Sequence, residues 1–199
     1  MDSSRSAYHH GDLAQALVEQ ALSTLVLVNS EELSLRAISQ AIGVSHSAAY
    51  RHFPNKRALL DGVCELGFAR FRDALLEAKG LPTTPLPARF EQMCEAYVSF
   101  ALANANLYSL MFGPGFVERM YASDTSATAS EAFAVLLSSV QEGLASGLFA
   151  PANPFFLSQT IWALLHGFAL FALHGEVSPE HGAVSAKRSW HLLYRGIAA

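Results

Sequence analysis

Apolar residues recur at spacings of three and four along most of this chain, a pattern that indicates amphipathic helices rather than strands. The first stripe predicts a helix over about residues 12–28, with its inner face formed by Leu13, Leu17, Ala21 and Leu25. A second, longer stripe predicts a helix from after Asn55 to about Lys79. Three prolines within residues 80–87 then break the pattern and mark a linker.

Beyond this linker the same periodicity predicts five more helices, at about 88–104, 105–113, 125–147, 153–174 and 184–197. The sequence therefore predicts an all-α fold. We divide it into a first domain at residues 1–55, a connecting helix at 56–80 and a second domain at 81–199.

Residues 33–57 carry a more specific pattern, two short helices joined by a tight turn. The first helix has three apolar residues on one face, Leu35, Ile38 and Ile42. Gly43 stands where a helix end takes a left-handed residue. Ser45 is a favourable cap for the second helix, and Pro54 ends it because the residue before a proline avoids the α region. This arrangement predicts a helix-turn-helix.

Charge is distributed unevenly along the chain. The net charge is −4, which argues against a generally adhesive nucleic-acid binder. No acidic residue occurs between Glu32 and Asp61, however, and that window contains Arg36, Arg51, Lys56 and Arg57. A short polar helix in a basic, acid-free window is typical of a protein that reads the DNA major groove.

Three segments resemble the N-terminal domain of the tetracycline-repressor (TetR) family: residues 8–13, 42–45 and 49–60. The resemblance covers about residues 8–75. It implies a three-helix DNA-binding domain followed by a helical ligand-binding and dimerisation domain. It also implies a cytoplasmic homodimeric repressor that binds a palindromic operator and is released by a small, mostly apolar effector. Farther along, residues 162–167 resemble the tryptophan/His-Gly subgroup of that family.

The basic window and the resemblance together give a candidate DNA-binding set: Arg36, Ser45, His46, Ser47, Tyr50, Arg51, His52 and Lys56. An arginine such as Arg36 can bond guanine O6 and N7 with both arms of its guanidinium. Lys56 opens a helix, where the helix dipole disfavours a cation. A bound phosphate would offset that cost.

The second domain is rich in methionine and aromatic side chains, which either fill a core or line an adaptable apolar cavity. The sequence does not decide between these roles residue by residue. The family resemblance implies that a pocket exists, and its candidate lining residues are Met93, Tyr97, Phe100, Met111, Phe112, Phe116, Trp162 and His166.

Residues 155–173 carry no formal charge and are mostly apolar, so a membrane span must be considered. Polar side chains within the segment and the lack of flanking lysine or arginine argue against it. A helix at a subunit interface fits better. We predict a dimer interface formed by one stripe of this helix and two residues of the last helix: Ala163, Gly167, Leu170, His174, Trp190 and Tyr194.

Other classes of function lack their usual signatures. Cys64 and Cys94 form no CxxC pair, which favours reduced thiols in the cytoplasm. The polar N-terminus predicts no secretory signal. No HExxH, GxSxG or glycine-rich phosphate loop is present, so we predict no metal, no cofactor and no enzyme activity. Two alternatives remain: a helical binding protein or enzyme with an incidental helix-turn-helix, and a membrane-tethered regulator.

Overall fold

The computed structural model describes residues 10–115 and 125–199, and this part of the chain is helical apart from connections and one isolated β-bridge. Its helices are α1 (His10–Leu25), α2 (Leu35–Ala41), α3 (His46–His52), α4 (Lys56–Lys79), α5 (Leu86–Ala103), α6 (Ala105–Phe112), α7 (Thr125–Ala145), α8 (Pro154–Leu173) and α9 (Pro179–Ile197). The predicted all-α fold is confirmed.

The chain divides into two compact units. The first unit comprises Met1–Gly67 and Asn106–Thr125, and the second comprises Phe68–Ala105 and Ser126–Ala199. Helix α4 is continuous and contributes residues to both. In this division α6 groups with the first unit, although the linker at residues 80–87 precedes it. The domain boundaries predicted from the sequence, after residues 55 and 80, stay a prediction.

Two contacts explain why α6 belongs to the first unit. The Asn106 side-chain amide donates to the backbone carbonyls of Leu25 and Val28, at 2.8 and 3.1 Å. The Leu25 carbonyl is at the end of α1 and the Val28 carbonyl is in the turn that follows, so the amide bonds one acceptor that the helix leaves open and one in the turn. Helix α1 ends at Leu25, three residues earlier than the sequence predicts.

The second contact is between α6 and α4 at Gly67. A Cβ atom on Gly67 would lie 2.8 Å from the Met111 sulfur and 2.9 Å from Leu107 Cδ1. Leu107, Tyr108 and Met111 are all buried. The missing side chain of Gly67 therefore lets α6 approach α4 closely, and α6 completes the core of the first unit.

The second unit is built on aromatic packing between α5 and α9. The ring of Phe90 stacks on Trp190 with centroids 4.9 Å apart, and Phe149 packs edge-on against Phe90 at 5.1 Å. Helix α5 also contacts α8. Arg89 on α5 is buried and pairs with Glu142 on α7. This hydrogen-bonded guanidinium lowers the pKa of Glu142.

Local sequence sets the starts of the last two helices, α8 and α9. The Asn153 side chain accepts hydrogen bonds from the backbone N–H groups of Phe155 and Phe156, at 3.0 and 3.2 Å, and Pro154 occupies the first turn of α8. Helix α9 begins at Pro179, five residues before the predicted start. Proline is favoured at the first helical position because its missing N–H would be unpaired there anyway.

In the described part of the chain, Pro154–Leu173 is the one helix long and apolar enough to cross a membrane, and 33% of its apolar window is buried within the protein. Core helices of water-soluble proteins have the same length and composition. The helix is therefore weak evidence for a membrane span.

Candidate DNA-binding surface and effector site

The turn between α2 and α3 is built by local backbone chemistry. Gly43 has a φ of 72°, in the left-handed region that its lack of a side chain permits. The N–H of Val44 donates to the carbonyl of Ser39 at 3.0 Å, which closes the end of α2. The Ser45 hydroxyl then accepts from the N–H of Ala48 at 3.2 Å and caps α3. The predicted helix-turn-helix is present.

Helix α3 presents a polar face to the surface and one small residue to the core. Ala49 is fully buried, which brings the helix backbone close to the rest of its unit. The outward-facing residues are the predicted ones and all are exposed: Ser45, His46, Ser47, Tyr50 and Arg51. His52, at the end of the helix, is half-buried. The short side chains at the start of α3 leave room for an approaching duplex.

Two side chains on this face are held by one another. The rings of His46 and Tyr50, one helical turn apart, pack edge to face with centroids 4.6 Å apart. The hydroxyls of Ser45 and Ser47 lie 3.2 Å apart. Arg36 is exposed on α2. The surface thus combines hydroxyls, rings and a guanidinium, which are groups that contact phosphates and base edges.

Some of the hydrogen-bonding groups at the start of α4 find partners within the protein. The Asn55 side chain accepts from the N–H of Ala58 at 2.9 Å, a normal cap. The Lys56 ammonium donates to the backbone carbonyl of Glu31. An ammonium has three donors, so this bond fixes the side chain and leaves two protons to bind another acceptor.

The second unit contains an aromatic cluster around Trp162. Its ring lies edge-on to Tyr97 at 5.1 Å, to Phe71 at 5.8 Å and to Phe133 at 5.5 Å. Phe71 also contacts Tyr97 and Phe100, each at 4.9 Å. The structure thus brings together the predicted Tyr97, Phe100 and Trp162.

One polar pair lies in this cluster. The Tyr97 hydroxyl is 3.4 Å from His166 Nδ1. Tyr97 is buried and His166 is half-buried. Burial lowers the pKa of His166 below its ordinary value, because the charged imidazolium would lose hydration. The imidazole is therefore neutral at physiological pH and offers one donor and one acceptor.

A small cavity of about 10 Å³ adjoins the cluster. It is lined by Leu75, Phe90, Met93, Cys94, Tyr97, Leu136, Ile161, Trp162 and Leu165. This volume holds at most one water molecule. Burial raises the pKa of the lining thiol Cys94 to about 12, so the thiol stays protonated and unreactive.

Two other predicted pocket residues are grouped with the first unit. Met111 and Phe112 belong to the first unit, where Met111 packs at Gly67 and Phe112 contacts Tyr108 at 4.7 Å. Phe116 lies outside the described residues. Two rings that the predicted set leaves out, Phe71 and Phe133, complete the cluster. Sequence spacing alone gave no signal for them, since each is one of several aromatic residues on an amphipathic helix.

Helices α8 and α9 share an apolar surface. Phe156 and Leu192 are 66% and 70% exposed. Between the helices lies an open groove of about 500 Å³, lined by Thr160, Leu164, Ser189, Leu192 and Leu193. Of the predicted interface residues, Ala163 and His174 are exposed, and Gly167 and Leu170 are half-buried. No described residue lies within 4 Å of where a Gly167 side chain would be.

The two aromatic residues of the predicted interface occupy different positions. Trp190 is only 1% exposed and packs on Phe90 and Phe149 inside its own chain, so its side chain belongs to the core and not to the surface. Tyr194 is half-buried and stacks on Trp190 at 5.8 Å. The pattern of apolar spacing on α9 could not separate these two roles.

In residues 10–115 and 125–199, no group of three histidine, cysteine or acidic side chains is arranged to hold a metal ion. The candidate sites are therefore the polar face of α3 and the aromatic cluster.

Comparison with known protein families gives two matches. Residues 17–63 match the model described as bacterial regulatory proteins, tetR family. Residues 90–197, more than half of the chain, match the tetracyclin repressor-like C-terminal domain. Neither description specifies the tryptophan/His-Gly subgroup, which stays a prediction.

Individual proteins are similar over different lengths. The class C tetracycline repressor of Escherichia coli is 43% identical over 51 residues, which cover 26% of this chain and 23% of that protein. The chain thus matches less than a quarter of that repressor's length.

Solved structures match over nearly the whole chain. A Rhodococcus sp. RHA1 protein with unknown function is 32% identical, with a TM-score of 0.80, and the match covers 98% of this chain and 100% of that one. A tetR-family transcriptional regulator from Pectobacterium atrosepticum has a TM-score of 0.78 at 19% identity, with 98% of both chains covered. A putative tetR family transcription regulator from Shewanella sp. PV-4 has a TM-score of 0.64 at 21% identity, covering 94% and 98%.

Proposed function

Because this chain belongs to the tetracycline-repressor family of bacterial regulatory proteins, we propose that it is a homodimeric repressor released from its operator by a small, mostly apolar molecule. Members of the family are transcription regulators and not enzymes. The proposal adds to that class the direction of regulation, the oligomeric state, the two binding sites and a cytoplasmic location.

The observation that carries the DNA-binding part is the surface of α3. Five polar or aromatic side chains point outward from a helix whose one buried residue is Ala49. Ser45 and Gly43 fix that helix through local bonds, so the surface is formed before DNA arrives. Arg36 and Lys56 flank it. We assign base contacts to Arg36 and to the start of α3, and phosphate contacts to Tyr50, Arg51, His52 and Lys56.

A dimer is needed to contact both half-sites of the operator. Two copies of α3 would contact successive half-sites about 34–36 Å apart, or a multiple of that distance, on one face of the duplex. The α8–α9 surface supports pairing because it is apolar, and patches beyond a few hundred Å² are rarely left in water by soluble monomers. Gly167 lets a second helix approach closely, and Ala163, Leu170 and His174 lie on the same stripe.

The effector part rests on the aromatic cluster of the second unit. Phe71 and Leu75, which contribute to the cluster and its cavity, lie on the same continuous helix as Lys56. A ligand that enters the cluster must move these side chains, because the cavity is too small for it. If the ligand binds better to a state whose DNA-contacting residues are displaced, ligand binding weakens operator binding. Operator binding then weakens ligand binding by the same factor.

Selection of bound sequences from a random duplex pool tests the proposal directly. The expected result is a palindromic site, and lysine or arginine contacts make the affinity fall with added salt. Lys56→Ala should weaken binding to all duplexes alike and reduce the salt slope by about one unit. Failure to bind any duplex at low salt would favour the alternative, a helical binding protein with an incidental helix-turn-helix.

Sedimentation tests the dimer. The natural chain should sediment as a dimer at micromolar concentration. Leu170→Glu should give monomers with weakened operator binding, although no DNA contact has changed. Leu81→Glu, in an exposed loop of the same unit, is the matched control and should leave the dimer intact. A soluble Leu170→Glu dimer with full operator affinity would place the interface elsewhere.

A further inference from the structure

Two side chains on the exposed face of α3 restrain each other. The imidazole of His46 and the ring of Tyr50 pack edge to face, with centroids 4.6 Å apart and ring planes at 63°. The two residues are four positions apart, so they lie on one side of the helix. An aromatic side chain in a helix leans back towards the N-terminus, which brings the Tyr50 ring over the turn that begins at His46.

This contact restrains a torsion of His46 that the helix itself does not fix. A histidine ring rotates broadly about χ2, because that bond joins a tetrahedral atom to a planar one. The backbone beneath the pair is held in place, since the Ser45 hydroxyl caps α3 at Ala48 and Ala49 is fully buried. Tyr50 therefore limits the direction in which the imidazole points away from the helix.

The imidazole is also available to a partner. His46 is exposed, and its ring nitrogens make no hydrogen bond or ion pair with residues 10–115 or 125–199. An imidazole has at least one N–H donor, whether it is neutral or charged. In the major groove guanine presents two adjacent acceptors, N7 and O6, whereas adenine places an amine donor beside N7. An N–H that is held at one angle therefore favours guanine.

We propose that Tyr50 is a positioning residue for base recognition, because its ring holds the His46 imidazole so that an N–H donates to the N7 and O6 edge of a guanine. The Tyr50 hydroxyl remains a phosphate contact. Sequence preference then depends on the ring and general affinity on the hydroxyl, although both belong to one side chain. This inference rests on the proposed function, since it names the groups that read one base of each half-site.

The base contact is tested with the full chain on its selected duplex and on duplexes changed at one position at a time. His46→Ala should remove the preference for one guanine in each half-site, about fivefold to tenfold in Kd, which is the effect of one hydrogen bond. Replacing that guanine with 7-deazaguanine removes the N7 acceptor. The replacement should weaken binding by the natural chain and leave binding by His46→Ala unchanged.

Variants at Tyr50 separate the ring from the hydroxyl. Tyr50→Phe keeps the ring, so it should keep the preference for that guanine and bind all duplexes more weakly. Tyr50→Leu removes the ring and should remove most of the preference at that position, with the other positions unchanged. In the His46→Ala chain, Tyr50→Leu should have no further effect there, because the two residues act as one unit. Tyr50→Gln also lacks a ring and serves if the leucine variant does not fold.

Arg51→Gln is the matched control on the same helix. Arg51 is exposed and lies about 140° around the helix from His46. Its loss should weaken binding to all duplexes and leave every base preference in place. The ring-proton resonances of His46 report the pair without DNA, because a neighbouring aromatic ring shifts them. Tyr50→Leu should move these resonances, and Arg51→Gln should not.

The inference is overturned if Tyr50→Leu keeps the natural preference, if Tyr50→Phe loses it too, if all positions relax together, or if the base lost in His46→Ala is not guanine. Each of these outcomes leaves the proposed function standing, because the natural chain still selects a palindromic site. A chain that selects no duplex overturns the proposed function and the base contact together.

Discussion

Each of the two units of this protein is stabilised internally by a different kind of interaction. In the first, α2 and α3 are seven residues each, and serine caps and a left-handed glycine set their ends. In the second, helices of 18–21 residues pack through aromatic rings that are far apart in sequence. The first unit thus offers a polar surface fixed by its own backbone. The second offers an interior whose shape depends on side chains, and side chains can rearrange around a ligand.

The largest expected effect tests the packing half of this comparison. Trp190→Ala removes the ring that stacks on Phe90 and should lower the free energy of unfolding by about 3–5 kcal/mol. Urea denaturation measures it. Leu81→Ala, at a position 70% exposed in the same unit, should change stability by less than about 0.5 kcal/mol. Similar losses for both variants would mean that the ring stack is not a major source of stability.

The next effect concerns the polar surface. Arg36→Ala should weaken binding to the selected duplex by about 1–3 kcal/mol and relax the preference at one position in each half-site. Stability should be nearly unchanged, since the side chain is exposed. Arg70→Ala, an exposed arginine of the second unit, is the control for lost positive charge. An unchanged sequence preference would remove Arg36 from the base-reading set.

The next prediction compares two serine caps, which are local hydrogen bonds within the first unit. Ser45→Ala should cost about 1 kcal/mol, the usual contribution of a helix N-cap. Ser34→Ala should cost less, because its hydroxyl lies 3.5 Å from the N–H of Ala37, against 3.2 Å for Ser45 and Ala48. Thermal unfolding of both variants gives the ranking. The reverse order would show that these distances do not govern the caps.

The smallest effect is a pH dependence in the second unit. The folded pKa of His166 lies below its unfolded value of about 6.5. The unfolded chain therefore binds more protons near that pH, and stability that is complete above it is lost as the pH falls towards the folded pKa. His166→Gln should flatten this part of the stability curve, while His181→Gln should not. Equal slopes in all three chains would contradict the burial of His166.

The sequence predicted the first unit's motif well because its signals are local. Gly43, Ser45 and Pro54 each act within a few residues, so their effect is readable without the fold. The start of α9 at Pro179 could also have been predicted from the sequence, because proline favours the first helical position, but the sequence analysis placed it at residue 184. The sequence could not predict which residues form the aromatic cluster, since nothing in the spacing distinguishes Phe71 from other apolar residues of α4. The burial of Trp190 likewise depends on Phe90, a hundred positions away.

The contacts of α6 have a consequence for cutting and recombining this protein. The hydrogen bonds from Asn106 to the end of α1, and the fit of Met111 at Gly67, make α6 part of the first unit. That unit is therefore discontinuous in sequence. A truncation in the proline-rich linker would remove α6 and expose Cys64 and Gly67, which contact α6 and are buried in the intact chain. A chimera that transfers the DNA-binding specificity of this protein to a relative should therefore exchange residues 105–112 together with the N-terminal segment.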